Sequence, residues 1–197
     1  MRDADNIREL AQLPIDYMGF IFYPKSARYV ERRPDVKLPQ AIKKVGVFVN
    51  ETAEVIRQKA AEHQLNAVQL HGNEPVKSCV ELQETGLEVF KVFGIDETFD
   101  WTTVEPYLSS VDYFLFDTKS PQHGGTGQTF NWNKLHEYPF EKPYFLSGGL
   151  SLENIAEAIA FEDSRLIGLD LNSKFEIAPG QKDISTLKQA LKIIENE

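Results

Sequence analysis

Tyr17-Met18-Gly19-Phe20-Ile21-Phe22-Tyr23 is a nearly unbroken apolar run, the pattern of a parallel strand with helices on one face and a packed interior on the other. Outward from it the same pattern recurs. Val45-Gly46-Val47-Phe48-Val49, Ala67-Val68-Gln69-Leu70, Val89-Phe90-Lys91-Val92-Phe93, Tyr113-Phe114-Leu115-Phe116, Tyr144-Phe145-Leu146 and Leu166-Ile167-Gly168-Leu169-Asp170-Leu171 complete a set of seven predicted strands. Helical segments alternate with them: 52–62 after Asn50, 75–84 opening on Pro75, 152–160 after Ser151, and 184–195 with Leu187, Ala190, Leu191 and Ile194 at helical spacing. A further helix opens at residues 3–5 and runs to about residue 13. Two stretches, 23–38 and 119–129, hold prolines, glycines and charges and read as surface loops that carry function. Alternating βα units leave a closed barrel or an open doubly wound sheet. Neither a dinucleotide fingerprint nor a P-loop follows any strand, and no side-chain template recurs as in a solenoid, so the sequence predicts an α/β fold of the TIM (β/α)8 barrel type with seven visible strands.

Composition narrows the function classes. The 197 residues are 42% hydrophobic and 26% charged, enough for one domain spanning residues 1–197 with a substantial core. Lys and Arg number 21 against 30 Asp and Glu, a net charge of -9 that opposes nucleic acid and acidic membrane surfaces. An anionic ligand therefore has to be held by local groups. Cys79 is the sole cysteine, which excludes an internal disulfide and a multi-cysteine zinc site and fits a reducing, cytoplasmic setting. Its place beside Val76 and Val80 in a helical segment makes it packing rather than a nucleophile. No apolar run approaches the roughly 18 residues of a membrane helix.

Barrel enzymes place their chemistry at the carboxyl ends of the strands. There the runs end in Tyr23-Pro24-Lys25-Ser26-Ala27-Arg28-Tyr29, Gln69-Leu70-His71-Gly72, Asp117-Thr118-Lys119, Ser147-Gly148-Gly149 and Asp170-Leu171-Asn172-Ser173. Gly148 and Gly149 permit close backbone approach, the helix after Ser151 aims its amides at the same place, and Asn172 and Ser173 add donors, so a phosphate site stands beside a plain turn as the two readings. Asp117 follows three apolar residues, where desolvation raises a carboxyl pKa and suits it to give a proton; a turn-forming Asp is the alternative. His71 either meets a substrate or bonds a nearby carbonyl. Arg28 offers a fork for a carboxylate or is a solvated surface group.

The chain resembles phosphoribosylanthranilate isomerase, the barrel enzyme of tryptophan biosynthesis. The resemblance runs over essentially the whole chain, through Gly19-Phe20-Ile21-Phe22-Tyr23-Pro24-Lys25-Ser26-Ala27-Arg28-Tyr29, Val45-Gly46-Val47-Phe48-Val49-Asn50, Asn66-Ala67-Val68-Gln69-Leu70-His71-Gly72, Asp117-Thr118-Lys119 with Gly124-Gly125-Thr126-Gly127, and Leu146-Ser147-Gly148-Gly149-Leu150. It implies an Amadori rearrangement of N-(5-phosphoribosyl)anthranilate, a small-molecule substrate, with neither cofactor nor metal. By the same resemblance Asp117 is the general acid at the ring oxygen and Arg28 faces the anthranilate carboxylate. Gly148, Gly149, Asn172 and Ser173 form the phosphate cradle, and His71 and Asp170 lie near the site.

Two departures accompany it. Lys174 stands where the family commonly has Gly. The family also begins with a strand ending in Cys-Gly, whose cysteine removes the C2 proton, and nothing in this chain precedes the first helix with that pattern. The sequence thus predicts weak or absent turnover and two unpaired strand edges. Those edges imply reduced stability, disorder near residues 1–16, or pairing with another chain. Two other functions fit the same residues: a barrel that binds phosphosugars without chemistry, and another cofactor-free sugar-phosphate isomerase or epimerase.

Overall fold

A computed structural model describes residues 1–32, 34–119 and 129–196. Seven strands follow in chain order: β1 Tyr17–Ile21, β2 Lys43–Phe48, β3 Ala67–Leu70, β4 Glu88–Ile95, β5 Tyr113–Thr118, β6 Tyr144–Leu146 and β7 Leu166–Leu169. Each hydrogen-bonds to the next, and every pair is parallel. Parallel neighbours in strict sequence order, joined by crossovers of one hand, put every connection on the same face. Such a sheet curls rather than reversing at a switch point as a doubly wound sheet does.

Aromatic contacts across the interior show how far it curls. Tyr17 on β1 meets Phe90 on β4 at 5.4 Å between ring centroids and Phe145 on β6 at 5.8 Å. Neither strand is a neighbour of β1, so these contacts close over the barrel interior. Tyr113 completes the cluster against Phe90 and Phe145. The Tyr17 hydroxyl donates to Glu88 at 3.0 Å, which gives the polar tip of that ring a partner. A larger core, with Met18, Phe48, Ile56, Leu82, Phe114 and Leu135 among its buried members, fills the layer between sheet and helices.

Among the described residues β1 and β7 each pair with one strand of the sheet, which is a half-open barrel of seven strands. On β1 the free edge is partly used: the Met1 amine donates to Gly19 O at 2.8 Å, and Val30 N donates to Ile21 O at 2.8 Å. The helices are α1 Ala4–Leu10, α2 Ala53–His63, α3 Val76–Gln83, α4 Ile155–Ile159 and α5 Ile184–Glu195. Asp3, Thr52 and Asp183 cap the starts of α1, α2 and α5 through their side-chain oxygens. A hairpin of β8 Glu176–Ala178 and β9 Gln181–Lys182 precedes α5. No helix among the described residues is long and apolar enough to cross a membrane.

At the start of the chain Met1, Ile7 and Leu10 are buried, and the Asn6 amide exchanges two hydrogen bonds with the Lys182 backbone at 2.9 and 2.7 Å. Two expectations are corrected. α1 stops at Leu10 rather than near residue 13. The helix expected over 152–160 contracts to α4, because Asn154 turns its side chain onto the preceding loop. It accepts from Ser151 N at 2.8 Å and donates to Gly149 O at 3.2 Å, the local competition with helix that short polar side chains offer. Cys79 lies fully buried on α3, and burial pushes its thiol up to about 11, in keeping with a packing role.

Candidate active site

Asp117 is the next-to-last residue of β5 and is buried at the carboxyl end of the barrel. Its Oδ1 accepts from Thr118 N at 2.7 Å, and its Oδ2 lies 3.3 Å from His71 Nε2. His71 follows β3 directly, and its Nδ1 lies 3.4 Å from Gln69 Nε2. A neutral ring that accepts at Nδ1 from the Gln69 amide carries its proton on Nε2, directed at Asp117.

The loop after β6 closes over this carboxyl group. Gly148 and Gly149 have φ of +88° and +67°, a left-handed pair that other residues adopt only with strain. A Cβ on Gly148 would collide with the Thr118 hydroxyl and lie 2.5 Å from Thr118 N and 2.7 Å from Asp117 Oδ1. Glycine is therefore required here by backbone conformation and by close approach together. Ser147, beside it, bonds Asp170 Oδ2 at 3.4 Å. Desolvation raises the Asp170 carboxyl above its usual range; Asp117 adds to that shift, while Lys182 and His71 oppose it. The ends of β3, β5, β6 and β7 thus share one polar cluster.

Arg28 lies in a second cluster. Its guanidinium is forked onto Glu176, with Nε at 2.8 Å and Nη2 at 2.7 Å from Oε2. Glu176 also accepts from Gly180 N at 3.1 Å, and Lys182 Nζ stands 3.8 Å away. Lys182 donates to Leu171 O, Asn172 O and Asn172 Oδ1 at 3.0–3.1 Å. Burial pulls its ammonium below the usual lysine range, against the opposing pull of Glu176 and Asp170. Asn172 is thereby fixed by a cation beneath it. Ser173 opens a 3-10 turn, Ser173–Phe175, and Lys174 within it is exposed.

The structure therefore brings His71, Asp117, Gly148 and Asp170 into one contact network, and joins Arg28 and Asn172 through Glu176 and Lys182. Arg28 does not touch Asp117. The Gly149 loop is held by Asn154 rather than by a helix N-terminus, since α4 begins only at Ile155. Residues 124–127 lie outside the described residues. Glu176 and Lys182 were not among the residues expected at the site; the turn Pro179-Gly180 between them is the sequence signal for the hairpin that carries both. Among the described residues no group of three or more His, Cys, Asp or Glu is arranged to hold a metal ion.

A family model for N-(5'-phosphoribosyl)anthranilate isomerase matches residues 1–193. The chain is 45% identical to the N-(5'-phosphoribosyl)anthranilate isomerase of Phocaeicola vulgatus, over 97% of this chain and 96% of that protein. It is 46% identical to the protein of the same name from Parabacteroides distasonis, over 98% and 90%. Among solved structures, the phosphoribosyl anthranilate isomerase of Thermotoga maritima superimposes with a TM-score of 0.88 at 37% identity, covering 100% of this chain and 96% of that one. A phosphoribosyl anthranilate isomerase in complex with reduced 1-(o-carboxyphenylamino)-1-deoxyribulose 5-phosphate gives 0.84 at 33% identity over the same shares. By sequence and by fold alike, this chain belongs to the N-(5'-phosphoribosyl)anthranilate isomerase family.

Proposed function

We propose that the chain acts on N-(5-phosphoribosyl)anthranilate and isomerises it to 1-(o-carboxyphenylamino)-1-deoxyribulose 5-phosphate, a step of tryptophan biosynthesis. The observation that carries this reading is the Asp117 carboxyl group, buried under Gly148 with His71 Nε2 3.3 Å from one oxygen and a backbone N–H on the other. In the protonated state it delivers its proton to the ribose ring oxygen as the C1–O bond breaks, and the anthranilate nitrogen lone pair forms the C1=N bond. Loss of the C2 proton to a base then forms a C1–C2 double bond from the C2–H electrons and returns the C1=N pair to nitrogen; the resulting enol gains a proton at C1 and loses its hydroxyl proton to become the C2 ketone. Arg28, held flat by Glu176, is shaped to receive the anthranilate carboxylate. Gly148, Gly149, Asn172 and Ser173 receive the phosphate, and His71 and Asp170 flank the acid.

The C2 step needs a base, and within these 197 residues no thiol stands at the site. Cys79 is buried on α3 with a thiol pushed up to about 11. We therefore assign the 197-residue chain slow turnover, with ring opening retained and proton abstraction limiting. The free edges of β1 and β7 further support pairing with a strand of another chain. Sedimentation that shows a single-chain mass at every concentration would remove that part. The test of the main reading is conversion of phosphoribosylanthranilate with enzyme in excess. Slow product formation, abolished in Asp117→Asn, is expected. Saturable binding without product, unchanged in Asp117→Asn, would instead mark a non-catalytic phosphosugar-binding barrel. Rates typical of efficient enzymes would show that another group acts as the base.

A further inference from the structure

We propose that the buried Glu74–Lys91 ion pair is the positioning device that holds His71 against Asp117, a role that rests on the isomerase reading of the site. Glu74 sits in the turn between β3 and α3, three residues past His71. The register pairs Leu70 with Lys91, which places the lysine beside that turn from the neighbouring strand. The two side chains are 1% and 3% exposed, with Nζ and Oε2 3.0 Å apart.

The ammonium does more than neutralise the acid. It donates to Gly72 O at 2.6 Å and Leu70 O at 3.2 Å, so it binds the carbonyls of the residues on both sides of His71. Glu74 in turn accepts from Gly72 N at 3.0 Å and from Asn50 N at 2.7 Å. Asn50 Oδ1 accepts from Asn73 N at 2.7 Å, and His71 N donates to Phe48 O at 2.9 Å. A Cβ on Gly72 would collide with the Asn50 side chain, so the turn is packed as tightly as it is bonded. The backbone that carries His71 is thereby fixed from β2, β4 and the turn itself.

A pair this deep is a poor source of stability, because desolvating two charges offsets their attraction and an apolar pair of equal volume often does as well. What it supplies is position, and position is what His71 needs. Both ring contacts stand at the long end of hydrogen bonding, 3.3 Å to Asp117 and 3.4 Å to Gln69. Hydrogen bonds fade steeply beyond such lengths, so a drift of a few tenths of an ångström in the turn breaks both. Released from Gln69, the ring is free to carry its proton on Nδ1, and Asp117 then loses its donor.

The test uses the full chain labelled with 15N in its histidine rings, with His71 assigned by comparison with His71→Gln. In the unaltered protein, at a pH where the ring is neutral, the His71 signals should show a protonated Nε2 and a bare Nδ1. The double variant Glu74→Gln, Lys91→Met removes both charges at nearly constant volume. It should keep its melting temperature to within a few degrees while the His71 signals move to a mixture of tautomers. Affinity for the reduced 1-(o-carboxyphenylamino)-1-deoxyribulose 5-phosphate should fall about tenfold, the scale of one lost hydrogen bond to a charged group. His71 signals identical to those of the unaltered protein, in a folded double variant, would overturn the proposal. Should the double variant fail to fold, Glu74→Gln alone decides on the same signals, since it leaves Lys91 on both carbonyls but puts an amide nitrogen, which only donates, where Oε2 accepts from Lys91. Failure of the unaltered protein to bind the phosphate compound would count against the isomerase reading, and the ring signals would still decide this one.

Discussion

Replacing Gly148 by Ala tests the site where the fold and the chemistry touch. Two costs add. The position has φ +88°, and an L-residue there carries about 1–2 kcal/mol of backbone strain. The new methyl would also lie 2.7 Å from Asp117 Oδ1 and 2.5 Å from Thr118 N, one a side-chain oxygen and the other fixed backbone. To reach ordinary contact near 3.4 Å the carboxylate must retreat by about 0.7 Å, and overpacking of this kind costs about 1–3 kcal/mol. Gly86 supplies the control: its φ is +82°, but a Cβ there meets nothing within 4 Å, so Gly86→Ala carries the strain without the collision. Urea unfolding of both variants should place Gly148→Ala below Gly86→Ala by about 1–3 kcal/mol. Titration with the reduced ribulose-phosphate compound should show weakened binding in Gly148→Ala alone. Equal stability of the two variants, with binding unchanged in both, would refute the claim that Gly148 is packed onto the acid.

Other predictions concern the charges around it. Asp170 has its carboxyl raised by desolvation, so its ionised form costs folding free energy at pH values above the usual carboxylate range. Asp170→Asn should therefore gain stability relative to the unaltered chain at pH 7, and the gain should vanish as pH falls below about 4, where both side chains are neutral; thermal unfolding across pH 3.5–8 measures it. Glu176→Gln leaves Arg28 and Lys182 without their shared, buried carboxylate and should cost about 3 kcal/mol in urea unfolding. A loss under about 0.5 kcal/mol would mean that the Arg28 pair is solvated rather than locked. Cys79 should resist a thiol-specific reagent in the native chain at pH 8 and react fully in urea, because its thiol is buried and pushed up to about 11. Rapid native labelling would show that the α3 layer opens.

Much of the barrel was legible because its signal is local. Strands such as β5 and β6 lie where continuous apolar runs end in polar residues, and Asp117 stands out because three apolar residues lead directly to it. The doubly wound alternative fell to a non-local fact, the contacts of Tyr17 with Phe90 and Phe145 across the interior. The helix expected from residue 152 fails for a local reason that periodicity does not carry: Asn154 spends its side chain on Ser151 and Gly149. Glu74 and Lys91 lie 17 residues apart in the sequence, with Lys91 inside the apolar run 89–93, and nothing local marks them as a pair. Only the register of β3 against β4 brings them together under the His71 turn. Glu176 and Lys182 were hidden in the same way, six residues apart on a hairpin whose strands are three and two residues long.

The central claim is that this site isomerises a phosphoribosylated anthranilate through Asp117. Its most direct measurement is the conversion of N-(5-phosphoribosyl)anthranilate under enzyme excess, followed by the change in anthranilate fluorescence, for the chain and for Asp117→Asn side by side. Slow conversion is expected from the unaltered chain, and none above background from the variant. Conversion at the same rate by both would contradict the claim.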